Sequence, residues 1–166
     1  MRIGIIADIH DNIWHLATVL EQLSMCDALL CLGDYCAPFT MTAIGEGFAG
    51  EIHAVWGNND GDKLLLARMA DRAGNITLHG ELADLTLGGR RIAMTHYPQV
   101  AQPLALSGQF ALVCYGHDHT QRLETHGETL LVNPGEVMGR FGAAQYAVYD
   151  TDTHQATLHE VATPDR

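Results

Sequence analysis

Basic residues are scarce: nine Lys and Arg stand against twenty Asp and Glu in 166 residues, a formal net charge of −11. Broad nucleic-acid binding runs on many Lys and Arg contacts to phosphate, so no long nucleic-acid partner is expected. An anionic substrate must instead be attracted locally. Long apolar runs are also missing, and nothing approaches the roughly 18 residues that a membrane helix needs. The opening Ile3-Gly4-Ile5-Ile6-Ala7 stops at Asp8, too short for a secretion-signal core. The expectation is a soluble, cytoplasmic protein without a membrane partner. The four cysteines, Cys26, Cys31, Cys36 and Cys114, form no C-x-x-C pair, and scattered cysteines in a reducing compartment read as structural. With no repeat, low-complexity tract or Pro/Ser-rich linker, a single domain over 1–166 is expected.

Nearly half of the residues are apolar, about what one compact domain with a sizeable core requires. Short apolar runs typical of buried strands occur at Arg2–Ala7, Ala28–Leu32, Glu51–Trp56, Arg91–Thr95 and Phe110–Tyr115, with helical patterns between several of them. That alternation indicates α/β. Asn12 is a good N-cap for a first helix, with Ile13, Leu16, Ala17, Leu20 and Leu23 on one face. A second helix is expected from about Asp62 to Ala70, closing near Gly74. From Ile76 onward, segments at Ile76–His79, Leu82–Leu87, Leu130–Val132, Ala143–Tyr149 and Ala156–Val161 read as strands joined by tight turns, which suggests a partly antiparallel sheet.

Candidate metal ligands stand at the C-terminal ends of the buried strands. Asp8 and His10 follow the first, Asp34 the second, Asn58 with Asn59 and Asp60 the third, His96 the fourth, and His117 and His119 the fifth. In α/β sheets those ends form the ligand crevice, so residues far apart in sequence converge there. Gly33, Gly57 and Gly116 would let the chain turn and bring the next side chain inward. If the chain is extended through Asp8-Ile9-His10 and His117-Asp118-His119, the outer residues of each triplet share a face.

Asp8, His10, Asp34, Asn58, His96, His117 and His119 make a mixed nitrogen and oxygen set suited to Mn²⁺, Fe²⁺, Zn²⁺ or Ni²⁺. Seven groups exceed the needs of one tetrahedral ion and fit two divalent ions sharing a carboxylate, for which Asp34 is the natural bridge. Two such ions against two aspartates leave the site positive, able to hold a phosphate on an acidic protein. The expected chemistry is direct, in-line attack on phosphorus by a hydroxide bridging the ions, with Asp34, Asn58, Asn59 and His96 nearest the reaction.

The ordered blocks D-x-H, G-D, G-N-x-D, T-H and G-H-x-H, followed by N-P-G, resemble the calcineurin-like metallophosphoesterase family. The likeness spans residues 8 to 135 and is greatest to its small bacterial and archaeal phosphodiesterases. It implies a four-layer α/β/β/α sandwich with two mixed β-sheets and metals at the sheet edge. It implies Asp8, His10, Asp34 and His119 around one ion, Asp34, Asn58, His96 and His117 around the other, and Mn²⁺ as the first candidate. The implied substrate is a small phosphate ester, a diester before a monoester. A non-catalytic metal-binding scaffold of the same fold is the alternative, and self-association is compatible with such a small chain.

Three positions depart from the pattern. Asn59 stands where many members carry a histidine assigned to the leaving group, and an amide donates a hydrogen bond but is no acid near neutral pH. Tyr97 replaces a common glycine, and Glu136 a common small hydroxyl residue. Gly45, Gly47 and Gly50 spell G-x-G-x-x-G between a helix-like stretch and a strand, the reverse of the dinucleotide-binding order. Asn12 reads as a cap and Asp60 equally as a cap or a ligand-orienting group. The remaining histidines read as surface or structural, with His79 the one to examine.

Overall fold

The computed structural model describes residues 1–140 and 142–161. The chain begins with β1 (Arg2–Ile6), α1 (Ile13–Gln22), β2 (Ala28–Cys31), α2 (Pro38–Gly47), β3 (Glu51–Ala54), α3 (Lys63–Ala73) and β4 (Ile76–Leu78). The four strands lie side by side and parallel, joined by helical crossovers as βαβ units require. A second sheet follows: β5 (Leu82–Leu87), β6 (Arg90–Thr95), α4 (Pro98–Leu106), β7 (Leu112–Cys114), β8 (Arg122–His126) and β9 (Thr129–Asn133), in spatial order β5-β6-β7-β9-β8. Strands β10 (Ala144–Asp150) and β11 (Gln155–Val161) then return to the first sheet, β10 antiparallel beside β1 and β11 antiparallel beside β10 at the edge. Both sheets are mixed, and helices cover their outer faces.

Alternation along the strands builds the layers. Ile3, Ile5, Leu30, Leu32 and Val55 meet Ile92, Met94, Leu112 and Val132 between the sheets. Ile6, Leu29, Cys31, Ile52 and Ala54 face α1, α2 and α3. Beyond the second sheet, Ala93, Val113 and Leu131 pack on Ala101 and Ala105 of α4. Burial on both faces is why β1 and β2 read as continuous apolar runs.

Asn12 caps α1 by accepting from His15 N at 3.1 Å, and Leu16, Val19 and Leu20 are its buried stripe. Asp62 caps α3 and Gly74, at φ 79°, ends it in the left-handed conformation. Helices α2 and α4 lack a side-chain cap; each starts on a proline, Pro38 or Pro98, whose fixed φ suits the first helical position. Strand β8 is exposed along nearly its whole length and carries no apolar alternation.

Candidate metal centre

Six parallel strands, β1, β2 and β3 of one sheet and β6, β7 and β9 of the other, point their C-terminal ends at one place. The loops beyond them are tied together by main-chain bonds: Ile9 N and His10 N donate to Asp34 O at 3.1 and 3.0 Å, Gly116 N to His96 O at 3.1 Å, and Met138 N to Asp8 O at 3.0 Å. Asp8, His10, Asp34, Asn58, His96, His117 and His119 all gather there. Asp8, His10 and His119 present ligand atoms within 4.8 Å of one another, as do Asp8, Asp34 and His96.

The pairs in Asp8-Ile9-His10 and His117-Asp118-His119 do not converge through extended chain. Asp8, His10, His117 and His119 have φ of 54°, 44°, 74° and 54°, and Asp34 has 57°. Left-handed backbone at non-glycine residues costs energy and persists where the surroundings impose it, typically at functional sites. The glycines act by close approach as well as by conformation. Gly33 is left-handed at φ 96°, whereas a Cβ on Gly57 would lie 2.2 Å from Asp34 Oδ1, and one on Gly116 2.9 Å from Asp8 Oδ2.

Asp8 and Asp34 are 0% and 1% exposed, and among the described residues their ion pairs are with histidines, not with Lys or Arg. Asp34 turns Oδ2 to His10 Nε2 at 3.4 Å and Oδ1 to His96 Nε2 at 3.5 Å, so one carboxylate addresses both halves of the cluster. His96 Nδ1 donates to Leu32 O at 2.7 Å. In the neutral ring that bond leaves a lone pair on Nε2, aimed at a carboxylate oxygen that can only accept. The same mismatch recurs at His119, whose Nδ1 is bonded to Glu136 and whose Nε2 stands 3.4 Å from Asp8 Oδ1, a buried oxygen with no hydrogen-bond partner. His10 Nε2 and His119 Nε2 face each other at 3.3 Å. Lone pairs directed at acceptor-only oxygens in a buried site are what cations between them resolve, so the donor set fits divalent metal. The outer half is more open: Asn58 and His117 are exposed, with Asn58 Oδ1 3.0 Å from His96 Nε2 and 2.9 Å from His117 Nδ1.

Several neighbours have roles the sequence did not reveal. Glu136, at 2% exposure, holds His119 by Nδ1. Its signal was available, since it follows β9 as the other candidates follow their strands. Replacing Glu136 with Gln should weaken metal retention about 10- to 100-fold, read by chelator competition, as is typical when a ligand's outer carboxylate is lost; unchanged retention would make the contact incidental. Cys36 Sγ lies 3.5 Å from His10 Nδ1, so this cysteine is more than packing. Burial, followed by the Asp11 and Asp34 carboxylates, pushes its thiol up to about 12, which keeps it neutral. Asp60 neither caps a helix nor touches a ligand side chain. It accepts from Tyr35 N at 2.7 Å and Gly57 N at 2.6 Å, joining the loops after β2 and β3.

Asn59 is turned toward Asp34: its main-chain N and its Nδ2 donate to Asp34 Oδ1 and Oδ2, both at 2.8 Å. Asp8 beside His10 raises that imidazole's pKa, against the lowering effect of burial. Tyr97 sets its ring 5.2 Å from that of His96 and 5.8 Å from that of His117 at the mouth of the site, whereas Tyr35 is packed, donating to Cys31 O and Val55 O. His79 pairs with His53 at 2.9 Å away from the cluster.

The family model for the calcineurin-like phosphoesterase superfamily domain matches residues 1–154. A phosphodiesterase of Methanocaldococcus jannaschii is 26% identical over 157 residues, covering 92% of this chain and 94% of that protein. The solved structure of an archaeal phosphodiesterase has a TM-score of 0.88 at 24% identity, covering 97% of this chain and 100% of that one. Zinc-complexed Vps29 of Entamoeba histolytica has a TM-score of 0.66 at 16% identity, covering 96% of this chain and 91% of that one. The two structural likenesses speak for the fold, the four-layer α/β/β/α sandwich.

Proposed function

The chain belongs to the calcineurin-like phosphoesterase superfamily and is a metal-dependent phosphoric ester hydrolase, and from that premise we propose that it cleaves a small phosphate diester at a two-ion centre. Asp8, His10, Asp34 and His119 hold one ion; Asp34, Asn58, His96 and His117 hold the other. The mixed imidazole and carboxylate set, with a single amide oxygen and no thiolate, suits Mn²⁺, Fe²⁺, Zn²⁺ or Ni²⁺, and the family resemblance makes Mn²⁺ the first of them to test. The observation that carries this reading is the pair of imidazole lone pairs, on His96 and His119, facing the acceptor-only oxygens of Asp34 and Asp8. Bound there, the ions supply Lewis acidity toward phosphoryl oxygens and bring the pKa of water toward neutrality.

The protein's own groups do the positioning. Leu32 O and Glu136 fix the orientation of His96 and His119, and Asn59 grips both oxygens of Asp34. The openness of Asn58 and His117 leaves the phosphate an approach from solvent on that side. No side chain at position 59 can hand a proton to the departing oxygen, so esters whose leaving group departs as a stable anion are favoured. The diester preference agrees with the activity named for the archaeal relative.

The test is hydrolysis of bis(p-nitrophenyl) phosphate beside p-nitrophenyl phosphate by chelator-stripped protein, with and without Mn²⁺. Metal-dependent cleavage is expected, faster for the diester. A faster monoester would reverse the substrate preference. No turnover with Mn²⁺, Fe²⁺, Zn²⁺ or Ni²⁺ would replace the enzyme with a metal-binding scaffold.

A further inference from the structure

A cleft opens directly from the metal centre and is unused by the chemistry above. Lined by His10, Trp14, His15, Met138 and Arg140, it encloses about 510 Å³, room for a substituent larger than a simple alkyl group. Its floor is fixed. Asn12 Nδ2 and His15 Nδ1 both donate to Met138 O, at 2.9 and 3.1 Å, and pin the segment after β9 to the first turn of α1. The fit is close enough that a Cβ on Gly139, at φ 65°, would stand 2.6 Å from His15 Nδ1. Asp11 borders the cleft as well, but its carboxylate is taken up by Ala37 N at 2.8 Å and Thr40 Oγ1 at 2.7 Å.

On this preformed floor the chain leaves an indole in water: Trp14 is 76% exposed. A tryptophan offers a broad flat face with few torsions to immobilise, which is what a stacking surface requires. Arg140 brings a cation to the same cleft in a protein holding nine Lys and Arg in all.

We propose that Trp14 is the stacking platform for a planar aromatic group of the ester, and that the preferred substrates are phosphate diesters bearing a nucleobase or an aryl ring. This rests on the phosphodiesterase reading and adds the substrate class to it. The phosphoryl group sits at the ions and the ring lies along the cleft from His10 toward Trp14. Stacking of this kind is typically worth a factor of about ten or more in affinity.

Two ligand pairs, measured by calorimetry with Mn²⁺ present, isolate the ring: phenylphosphonate against methylphosphonate, and AMP against ribose phosphate. At least one aromatic member should bind about tenfold more tightly than its partner, and the pair in which it does so tells aryl from nucleobase. Trp14→Ala should remove that increment and Trp14→Phe should keep most of it. In turnover, Trp14→Ala should lower kcat/KM for bis(p-nitrophenyl) phosphate about tenfold relative to methyl p-nitrophenyl phosphate. No aromatic increment in either pair, or an increment that survives Trp14→Ala, overturns the assignment. If no ester is turned over at all, the phosphodiesterase reading falls while the binding pairs still decide the role of Trp14.

Discussion

Replacing Asp34 with Asn should lower kcat/KM for bis(p-nitrophenyl) phosphate by about a thousandfold, on the order of what losing a dominant electrostatic contact costs a hydrolase. The protein should stay folded. Asp34 is the residue whose two oxygens face His10 and His96 separately, so the amide removes a charge and turns one oxygen into a donor with no lone pair for an ion. The surrounding hydrogen bonds can adapt. Asn59 N still finds the remaining oxygen, and the Asn59 amide can rotate to accept from the new NH₂, where it now donates to Oδ2. Fewer bound ions per chain are therefore expected, read by elemental analysis, with a melting temperature close to that of the parent protein when both are compared metal-free by calorimetry. Normal turnover at unchanged metal content would remove Asp34 from the bridging position.

Gly57→Ala should be less damaging to activity than Asp34→Asn but worse for the fold. The added methyl would lie 2.2 Å from Asp34 Oδ1 and 2.5 Å from Asp34 N, distances no relaxed structure tolerates. A rotation of the Asp34 side chain would clear Oδ1 but not the main-chain N, which cannot swing away. Gly33, one residue before Asp34, is equally tight, since a Cβ there would meet Gly57 N at 2.5 Å. The two loops interlock and must separate to admit a methyl. Overpacking of this kind typically costs about 1–3 kcal/mol, and a displacement of about 1 Å at reacting groups can cost a hundredfold in rate. Both should appear in one preparation, as a lowered midpoint in thermal unfolding and as turnover down by about a hundredfold. An alanine variant with wild-type kinetics would show slack between the loops.

The strands that are buried on both faces were legible because their apolar runs are continuous, and the candidate ligands because each directly follows such a run. The α1 boundary was equally plain in Asn12 and the Leu16, Leu20, Leu23 stripe. What escaped was structure without periodicity. Helix α4 carries Pro103 in its interior, α2 has a weakly one-sided pattern with glycines near its end, and β8 is solvated along its length. In α2, Gly45 and Gly47 are packing positions, where a Cβ would meet Ala73 Cβ and Leu20 Cδ1, both at 2.6 Å, in keeping with their rejection as a dinucleotide loop. At the site, residue identity foretold the gathering of the candidate side chains but not the neighbours that hold their loops and rings in place. Glu136, Cys36 and Asp60 act through contacts between loops distant in sequence, which no local pattern encodes. Nor could the spacing of Asp8 and His10 disclose left-handed backbone; it favoured an extended chain, and the loop geometry prevailed.

The division of the proposed ligands between the sheets reaches beyond chemistry. Asp8, His10, Asp34 and Asn58 come from the ends of the first sheet, and His96, His117 and His119 from the second; His10 and His119 are 109 residues apart in the chain. Contacts of such sequence separation form late, because the intervening chain must first be ordered. The complete ligand set thus exists only once the sheets have docked, and a chain with one sheet formed offers an ion only part of it. Binding confined to the finished state adds stability by mass action, about 2.7 kcal/mol when free ion exceeds its Kd a hundredfold. The ion supply of the cell would then govern how long each molecule survives unfolding and degradation, as well as how fast it works.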